Sequence, residues 1–193
     1  MDALRPRPEN LGDAPLVFIS DVDGVYAKFD PDQPGGGNDG LGPARRRVRT
    51  SHGAKYWIAF DPDAIGELDA LIHETDIELC WLTYWGPNVI PLIEQAFDGL
   101  LSGGYVLAKK PKRHRGHIPM YWKQDAIEEL IVPTGTPWAW ADDEAIDIAM
   151  TRDDFASGSS RGTAPHLLLP TKPTTGLTVE QIAELRAFAM AVS

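Results

Sequence analysis

The sequence predicts an α/β fold, three layers deep, with helices on both faces of a mostly parallel central sheet. Three observations lead there. Short runs such as "LVFIS", "IELCWLT" and "HLLLP" are mostly apolar with little alternation, the mark of strands covered on both faces. These runs alternate with segments of helical period, as βα units do. Several of them stop abruptly at hydroxyl or carboxylate residues, and in open α/β sheets ligands sit in the crevice beyond the carboxyl ends of the strands.

Residues 1–14 read as a polar, proline-containing arm ahead of one domain over residues 15–193. "LVFIS" (16–20) is the first strand. "DPDQPGGGNDGLGP" (30–43) is so rich in Gly and Pro that it must be a loop. "RRRVRTSHGAKYWIAF" predicts two short strands about the turn "SHG", a hairpin flap within an insertion over about residues 25–60. "DPDAIGELDALIHE" predicts a helix, with Asp61 as N-cap and Pro62 at its first position. Ile65, Leu68, Leu71 and Ile72 follow at helical spacing. "IELCWLT" (77–83) is a second buried strand, "PNVIPLIEQAF" (87–97) a helix and "GYVLA" (104–108) a short third strand. "YWKQDAIEELIV" (121–132) is helical, and "PWAWADD" (137–143) is a fourth strand ending in two carboxylates. Beyond the loop "RDDFASGSSRGTAP" (152–165), "HLLLP" is a fifth strand. "TVEQIAELRAFAMA" (178–191) is an amphipathic helix, with Thr178 as N-cap and Glu180 or Gln181 completing the cap.

With 193 residues, 43% of them hydrophobic, the chain can bury a core of its own. Its single cysteine, Cys80, has no disulfide partner, and no Cys/His spacing resembles a zinc site. A buried thiol suits a reducing compartment. No apolar run approaches the roughly 18 residues that suggest a membrane span, and the N-terminus lacks an apolar signal core. The expectation is a cytoplasmic protein without membrane association. A net charge of −10 argues against whole-surface attraction to nucleic acid or anionic lipid. The positive charge is nevertheless concentrated. Of the 18 Lys and Arg, half lie in "ARRRVR" (Arg45, Arg46, Arg47, Arg49) and "KKPKRHRGH" (Lys109, Lys110, Lys112, Arg113, Arg115).

The polar residues at strand ends are Asp21 and Asp23 in "SDVDGV", Thr83 after the second strand, and Asp142 and Asp143 after the fourth. Lys123 stands near the start of the helix before that fourth strand. Two carboxylates one residue apart raise each other's pKa, so something must offset their repulsion, a metal ion or a phosphoryl group. The set suits phosphoryl transfer. A carboxylate attacks phosphorus, Mg²⁺ neutralises the charge between two anions, and a lysine and a hydroxyl hold the remaining oxygens. A second carboxylate delivers a proton. Each residue also has a plainer reading. Asp-Gly is turn chemistry, "ADD" is a good helix N-cap, and Lys109, Lys110 and Lys112 rival Lys123. A calcium loop of the EF-hand kind would need Gly where Tyr26 stands. A receiver domain would place its lysine last. The tryptophans flanking these motifs (Trp81, Trp85, Trp122, Trp138, Trp140) read mostly as core, and none of the five histidines has a convincing catalytic partner.

In order, "DVDGV", "WLT", a lysine at a helix start and "ADDEAID" resemble the four motifs of the haloacid dehalogenase superfamily, over roughly Val17 to Asp147. "LTYWGPNVIPLI", "YWK" and "TTGLTVEQIAELRAFA" further resemble a group of small actinobacterial and phage proteins. That group is related to the phosphatase domains of Swiss Army Knife RNA repair proteins. The resemblance implies a Rossmann-like three-layer fold. It implies Asp21 as nucleophile and Asp23 as general acid/base, with Asp23 also giving its backbone carbonyl to Mg²⁺. Thr83 would bind the phosphoryl group, and Lys123 would neutralise it and the nucleophile. Asp142 would be a metal ligand beside Asp21, with Asp143 supporting it directly or through water. Asp147 matches a later acidic position of some members. Val25 stands where many members have Thr.

About 60 residues separate Asp23 from Thr83 and about 40 separate Thr83 from Lys123, too few for a large cap domain in addition to the elements above. By resemblance, capless members often act on macromolecules. Both basic segments fall in these two stretches. They are either a solvated, mutually repelling surface or contacts to a polyanion, with Arg45, Arg46, Arg47, Lys109, Lys110, Lys112, Arg113 and Arg115 as candidate substrate-binding residues. The expected activity is a Mg²⁺-dependent phosphomonoesterase working through an aspartyl-phosphate on a nucleic-acid terminal phosphate or nucleotide. The alternative is a binding module on the same fold that sequesters a nucleotide or protein partner with little turnover.

Overall fold

The computed structural model describes residues 4–32, 37, 40–112, 119–150 and 164–193, the backbone alone for 148–150. Most of the predicted 152–165 loop and part of the 30–43 loop lie outside these residues. Five strands form one parallel sheet: β1 (Val17–Ser20), β4 (Glu78–Trp81), β5 (Tyr105–Val106), β6 (Trp138–Asp142) and β7 (His166–Pro170), in the spatial order β5-β4-β1-β6-β7. A separate antiparallel pair, β2 (Ala44–Arg49) and β3 (Lys55–Phe60), forms the hairpin.

The residues of the sheet explain why it is covered on both sides. Leu16, Phe18, Leu79, Trp81, Ala139 and Ala141 belong to one apolar cluster. That cluster includes Leu68 of α1 (Pro62–Glu74), Leu92 of α2 (Val89–Gln95) and Leu185 of α5 (Val179–Val192). Val17, Ile19, Cys80, Trp138 and Trp140 alternate with them into a second cluster, against Ile127 of α3 (Trp122–Leu130) and Ile146 of α4 (Ala145–Met150). Successive side chains of a strand point to opposite faces, so an unbroken apolar run feeds both clusters. The result is a Rossmann-like three-layer α/β arrangement.

Local signals act as expected at most ends. Asp61 caps α1 by accepting from the Asp63 and Ala64 N–H groups at 3.1 and 3.4 Å. Thr178 and Gln181 form the reciprocal capping box of α5, so Gln181 and not Glu180 completes it. The third strand is shorter than its apolar run: only Tyr105 and Val106 pair with β4, and Gly104 makes a parallel bridge to Leu4 of the N-terminal arm. That arm is docked rather than free: Leu11 is buried, and its carbonyl accepts from the Thr136 hydroxyl at 3.0 Å. Among the described residues, no helix is long and apolar enough to cross a membrane.

The strand order sets the site. From β1 the chain builds outward through β4 and β5, then returns to the other side of β1 for β6 and β7. The crevice between β1 and β6, at their carboxyl ends, is the topological switch point where such sheets bind ligands.

Candidate active site

Asp21 follows β1 and donates its backbone N–H to the Ala141 carbonyl at 3.0 Å, which locks it beside the end of β6. Asp142 is the last residue of β6. Both carboxylates are buried, and both receive the ammonium of Lys123, which reaches in from the first turn of α3. Lys123 Nζ donates to Asp142 Oδ2 at 2.6 Å and to Asp21 Oδ2. The second oxygen of Asp21 accepts from the Val22 N–H at 2.6 Å. That of Asp142 accepts from the Glu144 and Ala145 N–H groups at 3.1 and 2.8 Å, capping α4. Every oxygen of the buried pair is therefore hydrogen-bonded, as buried charges must be.

Asp143 completes the cluster. Oxygens of Asp21, Asp142 and Asp143 lie within 4.8 Å of one another, with the hard, anionic donors that Mg²⁺ prefers. Gly24 explains the glycine of "DVDG". It has φ +68°, and a Cβ there would stand 2.2 Å from the Asp143 carboxyl carbon. Only glycine lets the turn after β1 close against the carboxylate after β6.

The electrostatics follow from burial. Desolvation pushes the Asp21 carboxyl up to about 6, with Lys123 pulling it down and Asp142 and Asp23 adding to the rise. Burial, then Asp142 and Asp21, push Asp143 up to about 7. Burial disfavours the charge on Lys123, but Asp21 and Asp142 outweigh it and hold the ammonium pKa above its ordinary value. At neutral pH Asp21 is an ionised carboxylate paired with an ammonium.

Asp23 lies on the rim of the same edge. Burial raises its pKa, while a hydrogen bond from Trp85 Nε1 to its Oδ1, at 3.0 Å, opposes the rise. Thr83 is fully buried beyond β4, and its Oγ1 accepts from the Trp85 N–H at 3.2 Å. Asp147, on α4, is exposed. Trp85 was not distinguished by sequence from its neighbours. Trp81, Trp138 and Trp140 are core, whereas Trp85 is half-buried and holds both Asp23 and Thr83. The only signal was its place two residues beyond Thr83. Tyr84 was missed as well: it accepts from Trp122 Nε1 at 3.0 Å, and its ring lies 5.5 Å from Lys123 Nζ.

The basic segments do not act as two uniform patches. Strand alternation puts Arg45 and Arg47 on one face of the hairpin, with guanidinium groups 4.8 and 6.0 Å from the centre of the Trp57 ring. Arg46 falls on the other face, with Val48 and Tyr56. Lys109 and Lys110 line a cleft beside Tyr84 and Trp85. Lys112 is exposed, and Arg113 and Arg115 lie outside the described residues. No protein-family model, curated protein or solved structure matches the chain.

Proposed function

We propose that the chain is a Mg²⁺-dependent phosphomonoesterase that works through an aspartyl-phosphate on Asp21. One observation carries the reading: Lys123 bridges the buried carboxylates of Asp21 and Asp142 at the switch point of a parallel sheet, with Asp143 alongside. This is the arrangement expected of a site for a phosphoryl group and a hard cation. It also agrees with a haloacid-dehalogenase-like domain carrying a hairpin flap and no large cap. Nucleic-acid ends and nucleotides are the favoured substrates, because cations are gathered beside the site of an otherwise acidic protein.

Asp21, Asp142 and Asp143 would hold the metal, with the Asp23 backbone carbonyl. It would supply positive charge against which an anionic nucleophile and an anionic ester can approach. The chain's own residues do the rest. An Asp21 oxygen bonds to phosphorus as the bond to the ester oxygen breaks, and Asp23 gives that oxygen its proton. Trp85, bonded to Asp23 Oδ1, leaves the other oxygen to carry this proton. Lys123 and the Thr83 hydroxyl hold phosphoryl oxygens. Asp23 then takes a proton from water, whose oxygen attacks phosphorus and releases phosphate and free Asp21.

The test is hydrolysis of p-nitrophenyl phosphate, nucleotides and phosphorylated oligonucleotides with and without Mg²⁺. Turnover that disappears on chelation supports the reading. Tight nucleotide binding without turnover of any ester would instead identify a binding module. Trp85→Phe probes the acid. Losing the indole donor removes a bond that favours the Asp23 carboxylate, so the Asp23 pKa rises. The alkaline limb of the kcat/KM profile should move to higher pH, while kcat falls about tenfold through poorer positioning. An unmoved limb would take Asp23 out of the acid role.

A further inference from the structure

Three clefts open around the site, and all three include Tyr84. Two of them share the wall made by Tyr84 and Trp85, and their linings differ. On one side lies a space of about 250 Å³ bounded by Asp23, Thr50, Tyr56 and Asn88. On the other lies a larger space of about 540 Å³ bounded by Val106, Leu107, Arg7, Lys109 and Lys110. Asp23, the residue assigned to protonate the leaving oxygen, faces the smaller cleft. A leaving group protonated by Asp23 would sit there.

We propose that these clefts are two successive nucleotide subsites, and that the substrate is a single-stranded oligonucleotide with a terminal phosphate. The proposal deepens the phosphomonoesterase reading and rests on it for the position of the reacting phosphate. The smaller cleft fits a planar base. Tyr56 packs against Trp85, with ring centres 5.7 Å apart at 57°, and is still half exposed, so it offers a ring face on which a base can stack at the wall of the cleft. At the rim the Thr50 hydroxyl donates to the Ala54 carbonyl and can still accept from a ligand. The Asn88 amide is spent on Ser51 and the Trp85 carbonyl and pins the hairpin turn beside the cleft. The larger cleft pairs apolar walls with three cations in a protein of net charge −10. Lys110 Nζ stands 4.7 Å from the centre of the Tyr84 ring, next to the dividing wall, where the phosphate linking two bases would cross. Aromatic faces flanked by cations that track a backbone are the general means of holding single strands. A duplex is disfavoured, since only the outer face of its last base pair is free and the next base, held within the stack, offers none to Tyr84.

The experiment measures binding, so it does not depend on turnover. The Asp21→Asn protein, with Mg²⁺, is titrated with a mononucleotide, with di-, tetra- and octanucleotides phosphorylated at either end, with a phosphorylated blunt hairpin and with a phosphorylated peptide. Affinity should rise at least tenfold from mononucleotide to dinucleotide and change little beyond the tetranucleotide. The hairpin should bind no better than the mononucleotide. The salt slope of the tetranucleotide should be about −2, for three phosphates neutralised on a single strand. Tyr56→Ala in this background should weaken every ligand about tenfold, whereas Lys110→Gln should weaken the tetranucleotide more than the mononucleotide. Equal affinity across the lengths, or a hairpin bound as well as the single strand, would overturn the proposal. So would a phosphorylated peptide bound more tightly than the tetranucleotide. Length-dependent binding by a protein without phosphatase activity would refute the enzymatic reading and leave the subsites standing. Phosphatase activity without length dependence would do the reverse.

Discussion

Asp21→Asn should fold, retain binding of phosphorylated ligands and lose turnover by at least about a thousandfold. The amide matches the carboxylate in size, and its one carbonyl can accept from either the Val22 N–H or the Lys123 ammonium, so one of the two bonds is lost. It has no charge to donate to phosphorus. The cost to the fold is modest because Lys123 keeps Asp142 as its partner. The chemistry can be read separately from the rate. Wild-type protein denatured in acid during turnover should carry phosphate that hydroxylamine removes, as an acyl-phosphate does, and the variant should carry none. Wild-type turnover by Asp21→Asn would mean that water attacks phosphorus directly, and the covalent step would have to be abandoned.

The sheet was legible in the sequence because its strands are covered on both faces. Such strands lose their alternation, and the run lengths of "LVFIS", "WAWAD" and "HLLLP" mark them out. Asp21, Thr83 and Asp142 were legible for a related reason: each stands at the carboxyl end of a mostly apolar run, and a parallel sheet brings all those ends to one edge. Lys123 is harder. A lysine in a first helical turn is ordinary, and its burial against two carboxylates depends on how α3 packs over the sheet. Trp85 and Tyr84 lay beyond reach because they resemble the core tryptophans in composition. Their roles come from a turn after β4 that aims an indole N–H at Asp23. The arginine run reads as one basic block, but a strand divides it between two faces.

Lys123→Met should destabilise the metal-free protein more than any other single change at the site, and by an amount that depends on pH. The substitution keeps the apolar stem and removes the only cation that touches Asp21 and Asp142 among the described residues. Removing one partner of a buried ionic group costs about 3–5 kcal/mol, since the remaining charges stay desolvated and here repel each other. The sign of the pH effect follows from Asp21 and Asp143. Their carboxyls are raised to about 6 and about 7, above the ordinary 3.8, so the folded protein binds their protons more tightly than the unfolded chain. The stability this contributes is complete below about pH 4 and is lost as pH rises through 6 and 7. Without the ammonium, Asp21 rises further and is protonated at pH 5, where a neutral carboxyl can donate to Asp142. The loss measured by urea unfolding in chelator should then be largest near pH 8 and shrink toward pH 5. Added Mg²⁺ should recover part of it at pH 8, because a divalent cation takes over the neutralisation, and less at pH 5, where protons compete. A destabilisation that stays the same from pH 5 to pH 8 would mean that the ammonium contributes packing alone, and that the carboxylate cluster does not titrate as a unit.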